Sequence, residues 1–138
     1  MPNSKQRGDA TESRVIHELV TAGYDVAVPF GDNAKYDLVV NNDSDLYRIQ
    51  CKTAWRTGEG TIRFNTHSQT TRDGDYHETT YHGEIEAFVV RHPETETIYW
   101  VGVEHVVNKK KMDLRFEAEI DHPSINWAEA YEFDGEIP

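Results

Sequence analysis

The chain has 138 residues, enough for one compact domain over residues 1–138 and too few for a second domain of ordinary size. Its 25 Asp and Glu against 14 Lys and Arg give a net charge of −11, the wrong sign for a generic nucleic-acid binder. No apolar run approaches the ~18–20 residues that cross a bilayer, the first residues lack an apolar signal core, and the single cysteine, Cys51, excludes an internal disulfide or a thiolate zinc site. A soluble, cytoplasmic protein without membrane contact is expected.

Asp9 to Ala22 reads as an amphipathic helix, with Val15, Ile16, Leu19 and Val20 on one face and Gly23 as its stop. Tyr24 to Val28 is a short strand, and Pro29 to Asn33 a turn. Tyr36 to Val40 and Leu46 to Ala54 are strands joined by the turn Asn41 to Asp45, and Thr61 to Asn65 is a fourth strand. Thr66 to Thr80 is polar and expected to be loop. Ile85 to Arg91 and Thr97 to Val103 read as a hairpin, Glu104 to Asn108 as a brief helical turn, and Met112 to Glu117 as a late strand. The segment Ile125 to Phe133 has no clear period. This order predicts an α/β fold, a central mixed β-sheet flanked by helices.

Three of these elements converge on polar groups. Residues two apart in a strand share a face, so Gln50 and Lys52 emerge together while Ile49 and Cys51 point the other way. A lysine on an apolar strand needs a partner, and strands joined by a turn usually pair, which brings Asp37 to it. On the helix, Glu12 shares i, i+3, i+4, i+7 spacing with Val15, Ile16 and Leu19, so its carboxylate faces the sheet. An inward acid beside a second acid calls for a cation, and Mg2+ suits a few carboxylate oxygens and water. Asp37, the side-chain carbonyl of Gln50 and the backbone carbonyl of Cys51 would hold it, with Glu12 binding directly or through water. Lys52 would orient the attacking water or stabilise charge developing on a phosphate. The catalytic set is therefore Glu12, Asp37, Gln50 and Lys52, with Mn2+ as a possible substitute metal. Singly, Glu12 is also a good helix-start residue, and Asp37 with Lys52 also makes a structural ion pair.

With these residues in place, the sequence resembles the PD-(D/E)xK nuclease superfamily, and within it the group I intron-associated homing endonuclease branch. The resemblance rests on Gly8-Asp9-Ala10-Thr11-Glu12, on Pro29-Phe30-Gly31-Asp32-Asn33 before Tyr36-Asp37, and on Arg48-Ile49-Gln50-Cys51-Lys52-Thr53-Ala54. Phe64-Asn65-Thr66, Tyr81-His82-Gly83-Glu84-Ile85, Tyr99-Trp100-Val101 and Leu114-Arg115-Phe116 extend it from Gly8 to Phe133. It implies a restriction-endonuclease-like fold, Mg2+-dependent double-strand DNA cleavage, and a homodimer or homotetramer. Gln50 stands where the superfamily usually has an acid, and Tyr36 where it often has Pro. The arrangement is also similar to that of archaeal Holliday junction resolvases, which implies a second reading, a structure-specific nuclease; a non-catalytic DNA-binding protein on the same fold is a third.

DNA contacts are sought among local cations. Lys109-Lys110-Lys111 is the one cationic run, a phosphate clamp or a solvated turn. Lys35 lies beside Asp37, and Arg56, Arg63 and Arg72 follow the catalytic strand, as candidates for phosphate or guanine contacts. Trp55, Trp100 and Trp127 read as packing residues, and the seven histidines show no metal-ligand spacing. The acidic surface resembles those of halophilic proteins, for which molar salt shrinks the Debye length to ~3 Å and confines repulsion of DNA to short range.

Overall fold

In the computed structural model, described over residues 3–72, 75–80, 83–106, 110–118 and 121–138 with backbone alone for 68–72 and 75–80, the first element is helix α1, Ser4–Thr21. It begins at Ser4 rather than Asp9 because Asn3 and Gln6 cap each other. Gln6 N donates to Asn3 Oδ1 and Asn3 N donates to Gln6 Oε1, both at 2.9 Å. At the other end Tyr24 N donates to Leu19 O and Gly23 N to Val20 O, with Gly23 at φ +99°, a Schellman closure that bears out the expected stop. Thr11, Val15 and Leu19 are the helix residues fully buried.

The strands are β1 (Asp25–Ala27), β2 (Leu38–Asn42), β3 (Asp45–Thr53), β4 (Trp55–Gly58), β5 (Thr61–Asn65), β6 (His67–Arg72), β7 (Asp75–Thr80), β8 (Ala87–His92), β9 (Thr97–Gly102) and β10 (Lys111–Arg115). One five-stranded sheet runs β1-β2-β3-β8-β9. Its pairs are antiparallel except β3 with β8, which is parallel from Ile49↔Ala87 to Thr53↔Arg91. A parallel pair needs a long crossover, usually a helix. Here the crossover contains β-structure, because β4 and β5 lie in it and β5 pairs with both β4 and β10 in a second sheet, β10-β5-β4.

The central sheet is therefore a middle layer. Val15 and Leu19 of α1 pack on Leu38, Val40, Ile49, Ala87, Val89 and Trp100 on one face. Ile62, Phe64, Met112 and Leu114 of the second sheet pack on Phe88, Val90 and Val101 on the other, with Phe64 and Phe88 ring centroids 5.8 Å apart. β8 is buried on both faces, as a continuous Ala-Phe-Val-Val run requires. The mixed sheet with a helix agrees with the expected fold. The flanking layers differ from expectation, for among the described residues α1 is the one α-helix and a β-sheet covers the opposite face.

Two further expectations are corrected. The polar stretch after Asn65 is not loop: β6 and β7 pair from His67↔Thr80 to Arg72↔Asp75. Its strands carry threonines at four positions and no apolar alternation in sequence, so β-branching is the signal. β4 went unseen for the same reason, since every one of its residues is exposed at a sheet edge. The unassigned segment near Phe133 closes the opposite edge: Phe133 N donates to Ile98 O and Trp100 N to Tyr131 O, which covers β9. The turn expected over Glu104 to Asn108 is a 3-10 turn at Val103–His105, and residues 107–108 lie outside the described ones.

Candidate active site

The hairpin β2–β3 builds the centre of the site. Leu38 pairs with Ile49, so Asp37, one residue before β2, falls beside Gln50, and its N–H donates to the Ile49 carbonyl at 2.8 Å. Ile49 and Cys51 belong to the helix-side core, so Gln50 and Lys52 leave from the other face. The Asp37 carboxylate is fixed in turn, because Cys51 N donates to Oδ2 at 2.9 Å. Glu12, half-buried on α1, stands beside the buried Thr11 at the helix–sheet contact.

The electrostatics tie these groups together. Burial raises the Asp37 pKa, opposed by the Cys51 N–H and by the Lys52 ammonium. Burial lowers Lys52, and Asp37 holds it up. Glu12 is raised first by burial, then by the charge of Asp37 and that of Asp9. Each of these shifts names another member of the set, so Glu12, Asp37 and Lys52 share one electrostatic environment. Burial, with Asp37 and Glu12 adding, pushes the Cys51 thiol well above its ordinary range. It stays protonated at neutral pH, which leaves its backbone carbonyl as the oxygen it can offer.

Two acids coupled to one half-buried ammonium form an electrostatic setting in which a divalent cation could offset their charge. Among the described residues no group of three or more His, Cys, Asp or Glu is arranged to hold a metal. A metal held here would have to complete Asp37 and Glu12 with neutral oxygens, such as those of the Gln50 side chain and the Cys51 backbone. That donor set is all oxygen, and it fits a hard ion such as Mg2+ rather than zinc.

The cations singled out for DNA contacts divide into groups. Lys35 is half-buried in the segment leading to Asp37. Arg56 is exposed, its Nη2 3.4 Å from Glu94 Oε2. Arg63 donates to both carboxylate oxygens of Asp113 across the β5–β10 pair, at 2.6 and 3.2 Å. Lys110 and Lys111 are exposed, and Lys111 Nζ lies 5.6 Å from the centre of the Trp55 ring. Lys109 and the side chain of Arg72 lie outside the described residues. Sequence reasoning missed Arg115: alternation along β10 puts Lys111, Asp113 and Arg115 on the outer face, over Asn65, Arg63 and Thr61 of β5. Arg63, Lys110, Lys111 and Arg115 line one groove of about 550 Å³ together with Asn126.

A protein-family model described as PD-(D/E)XK endonuclease matches residues 2–134, a span that contains Glu12, Asp37, Gln50 and Lys52. The chain belongs to this family. The PD-(D/E)XK assignment agrees with the resemblance drawn from the sequence. Among solved structures, that of a bacterial homing endonuclease, I-Ssp6803I, superposes with a TM-score of 0.79 at 21% identity, covering 95% of this chain and 89% of that one. The overlap shows that this PD-(D/E)XK chain has the restriction-endonuclease-like fold. No curated protein matches the sequence significantly. No helix among the described residues is long and apolar enough to cross a membrane.

Proposed function

We propose that this PD-(D/E)XK nuclease is a Mg2+-dependent DNA endonuclease that cuts duplex DNA in the homing manner. What supports the reading is the Asp37 carboxylate, held by the Cys51 N–H beside Gln50 and close enough to Lys52 and Glu12 for their charges to be coupled. Asp37, Gln50, the Cys51 carbonyl and Glu12 would hold Mg2+, or Mn2+ in its place. A bound ion of this kind polarises a phosphate and lowers the pKa of its water. The chain's own residues do the rest. The Cys51 N–H keeps the Asp37 carboxylate aimed, and the Lys52 ammonium stands ready for charge that develops on the phosphate. Gln50 brings an oxygen without a charge, so the site holds fewer anions than one built on a third acid.

The outer face of β10-β5-β4 supports DNA as the substrate. Arg63, Lys110, Lys111 and Arg115 gather there in a chain whose net charge is −11, and β4 starts directly after Thr53 and Ala54, so this face adjoins the strand of Lys52. The Arg63–Asp113 pair is solvent-accessible, so a phosphate can approach its guanidinium. Lys111→Glu and Arg115→Glu are each expected to weaken DNA binding and to flatten the plot of log affinity against log salt by about one unit. Unchanged affinity and slope in both would remove this face from the interface.

Duplex cleavage is separated from junction resolution by one assay. Linear duplex and a four-way junction are offered in Mg2+ or Mn2+ at high salt, where an acidic surface repels DNA least. We expect cleavage of the duplex at a defined sequence by a homodimer or homotetramer, since two strands require two such sites. Cutting of the junction regardless of its sequence would replace the homing reading with the resolvase one.

A further inference from the structure

The residues flanking Glu12 and Lys52 touch each other. Thr11, 1% exposed, precedes Glu12 on α1, and Thr53 follows Lys52 at the end of β3. Their hydroxyl oxygens are 2.6 Å apart. Arg91, on the neighbouring parallel strand opposite Thr53, donates from Nη1 to Thr11 Oγ1 at 3.4 Å, and Ala54 N donates to its carbonyl at 2.9 Å. The same guanidinium is forked onto Glu96, with Nη2 and Nε at 2.7 and 3.1 Å from Oε1. Glu96 sits at φ +60°, a conformation that favours glycine or asparagine and that costs a glutamate free energy. From the helix side, Arg14 Nε approaches Glu96 Oε2 at 3.9 Å.

We propose that the Thr11–Thr53 hydroxyl pair, braced by Arg91 and Glu96, is a positioning device that sets how far Glu12 reaches toward Asp37. Two hydrogen-bonded oxygens approach far closer than two methyl groups, whose best separation is ~3.5–4.0 Å. The pair therefore draws the first half of α1 onto the end of β3 about 1 Å nearer than apolar packing permits. Glu12 and Lys52, each one residue from the contact, take their relative placement from it. A displacement of that size at a reacting centre is enough to cost about 100-fold in rate. The strained Glu96 and the fork from Arg91 keep Thr11 from turning its hydroxyl elsewhere. The inference rests on the metal-site reading above.

The test is the double variant Thr11→Val/Thr53→Val. Replacing both threonines by valine leaves neither hydroxyl stranded and takes from Arg91 only its long 3.4 Å contact, the fork onto Glu96 remaining, whereas replacing one threonine strands the other. The double variant is expected to melt close to wild type, yet to bind Mn2+ roughly 10–100-fold more weakly, read from the free-ion signal in electron paramagnetic resonance, the loss typical of a disturbed outer shell. The Mg2+ concentration for half-maximal cleavage should rise in parallel, with DNA affinity unchanged. Thr11→Ser and Thr53→Ser keep the hydroxyls and should behave as wild type. Equal Mn2+ affinity in wild type and double variant overturns the positioning role alone. Wild-type protein that takes up no Mn2+ overturns both it and the nuclease reading.

Discussion

Asp37→Ala and Lys52→Ala proteins are expected to keep their fold and to lose Mg2+-dependent DNA nicking by ~100–1000-fold or more, the scale on which a single preorganised charge-stabilising group contributes. The two losses differ in kind. Asp37 is the carboxylate oriented by the Cys51 N–H, so its removal should abolish metal uptake along with cleavage. Lys52 is coupled to Asp37 but its ammonium cannot ligate a cation, so Lys52→Ala should still take up Mn2+ while failing to cut. Far-ultraviolet circular dichroism checks the fold, a supercoiled plasmid reports nicking, and Mn2+ titration separates the two cases. Asp37→Ala protein that nicks at the wild-type rate would remove the whole assignment.

Asp37→Asn should make the metal-free protein more stable while destroying the site. The Asp37 pKa is raised above 3.8 and that of Glu12 above 4.5, both chiefly by burial. A carboxyl raised on folding binds its proton more tightly in the native state, so native stability is full below the unfolded value and falls as pH rises through the folded one. At neutral pH in chelator the wild type therefore bears the cost of two clustered carboxylates. Asparagine keeps the oxygen that accepts from Cys51 N and discards the charge. Its melting temperature in chelator should exceed that of wild type at pH 7, since the raised Asp37 carboxyl is the charge removed. The difference should vanish near pH 3. Saturating Mg2+ reverses the order, since ligand at 100 times Kd adds about 2.7 kcal/mol to wild type alone. A variant that melts below wild type at pH 7 without metal would contradict the burial argument.

The candidate site was legible where local geometry decides the placement of its residues. The two-residue period of β3 put Gln50 and Lys52 on one face, and the pairing of strands joined by a short turn brought Asp37 to Gln50. Glu12 was legible from the helical period of Val15, Ile16 and Leu19, since a carboxylate in that register meets the sheet. The hairpin β8–β9 was equally plain, because both strands alternate or run apolar between turn residues. The helix start at Asn3 was written in the Asn-x-x-Gln pattern but masked by a first turn without apolar residues.

Other features had no local signature. The second layer depends on which strands meet: β5 pairs with β10, some fifty residues away, and nothing in either stretch names its partner. β4 and the hairpin β6–β7 carry no apolar alternation, and their strand character rests on pairing and threonine content. The outer basic face exists because that pairing aligns Arg63, Lys111 and Arg115, of which Arg115 looks unremarkable in sequence. The contact between Thr11 and Thr53 joins positions 42 residues apart. Sequence alone determined which polar residues the first helix and the paired strands present and which local face each one takes, because periodicity is a property of the nearest few residues. Tertiary structure alone decided the layer opposite α1, the basic face and the bracing of Glu12, because each depends on contacts between segments that the chain brings together only on folding.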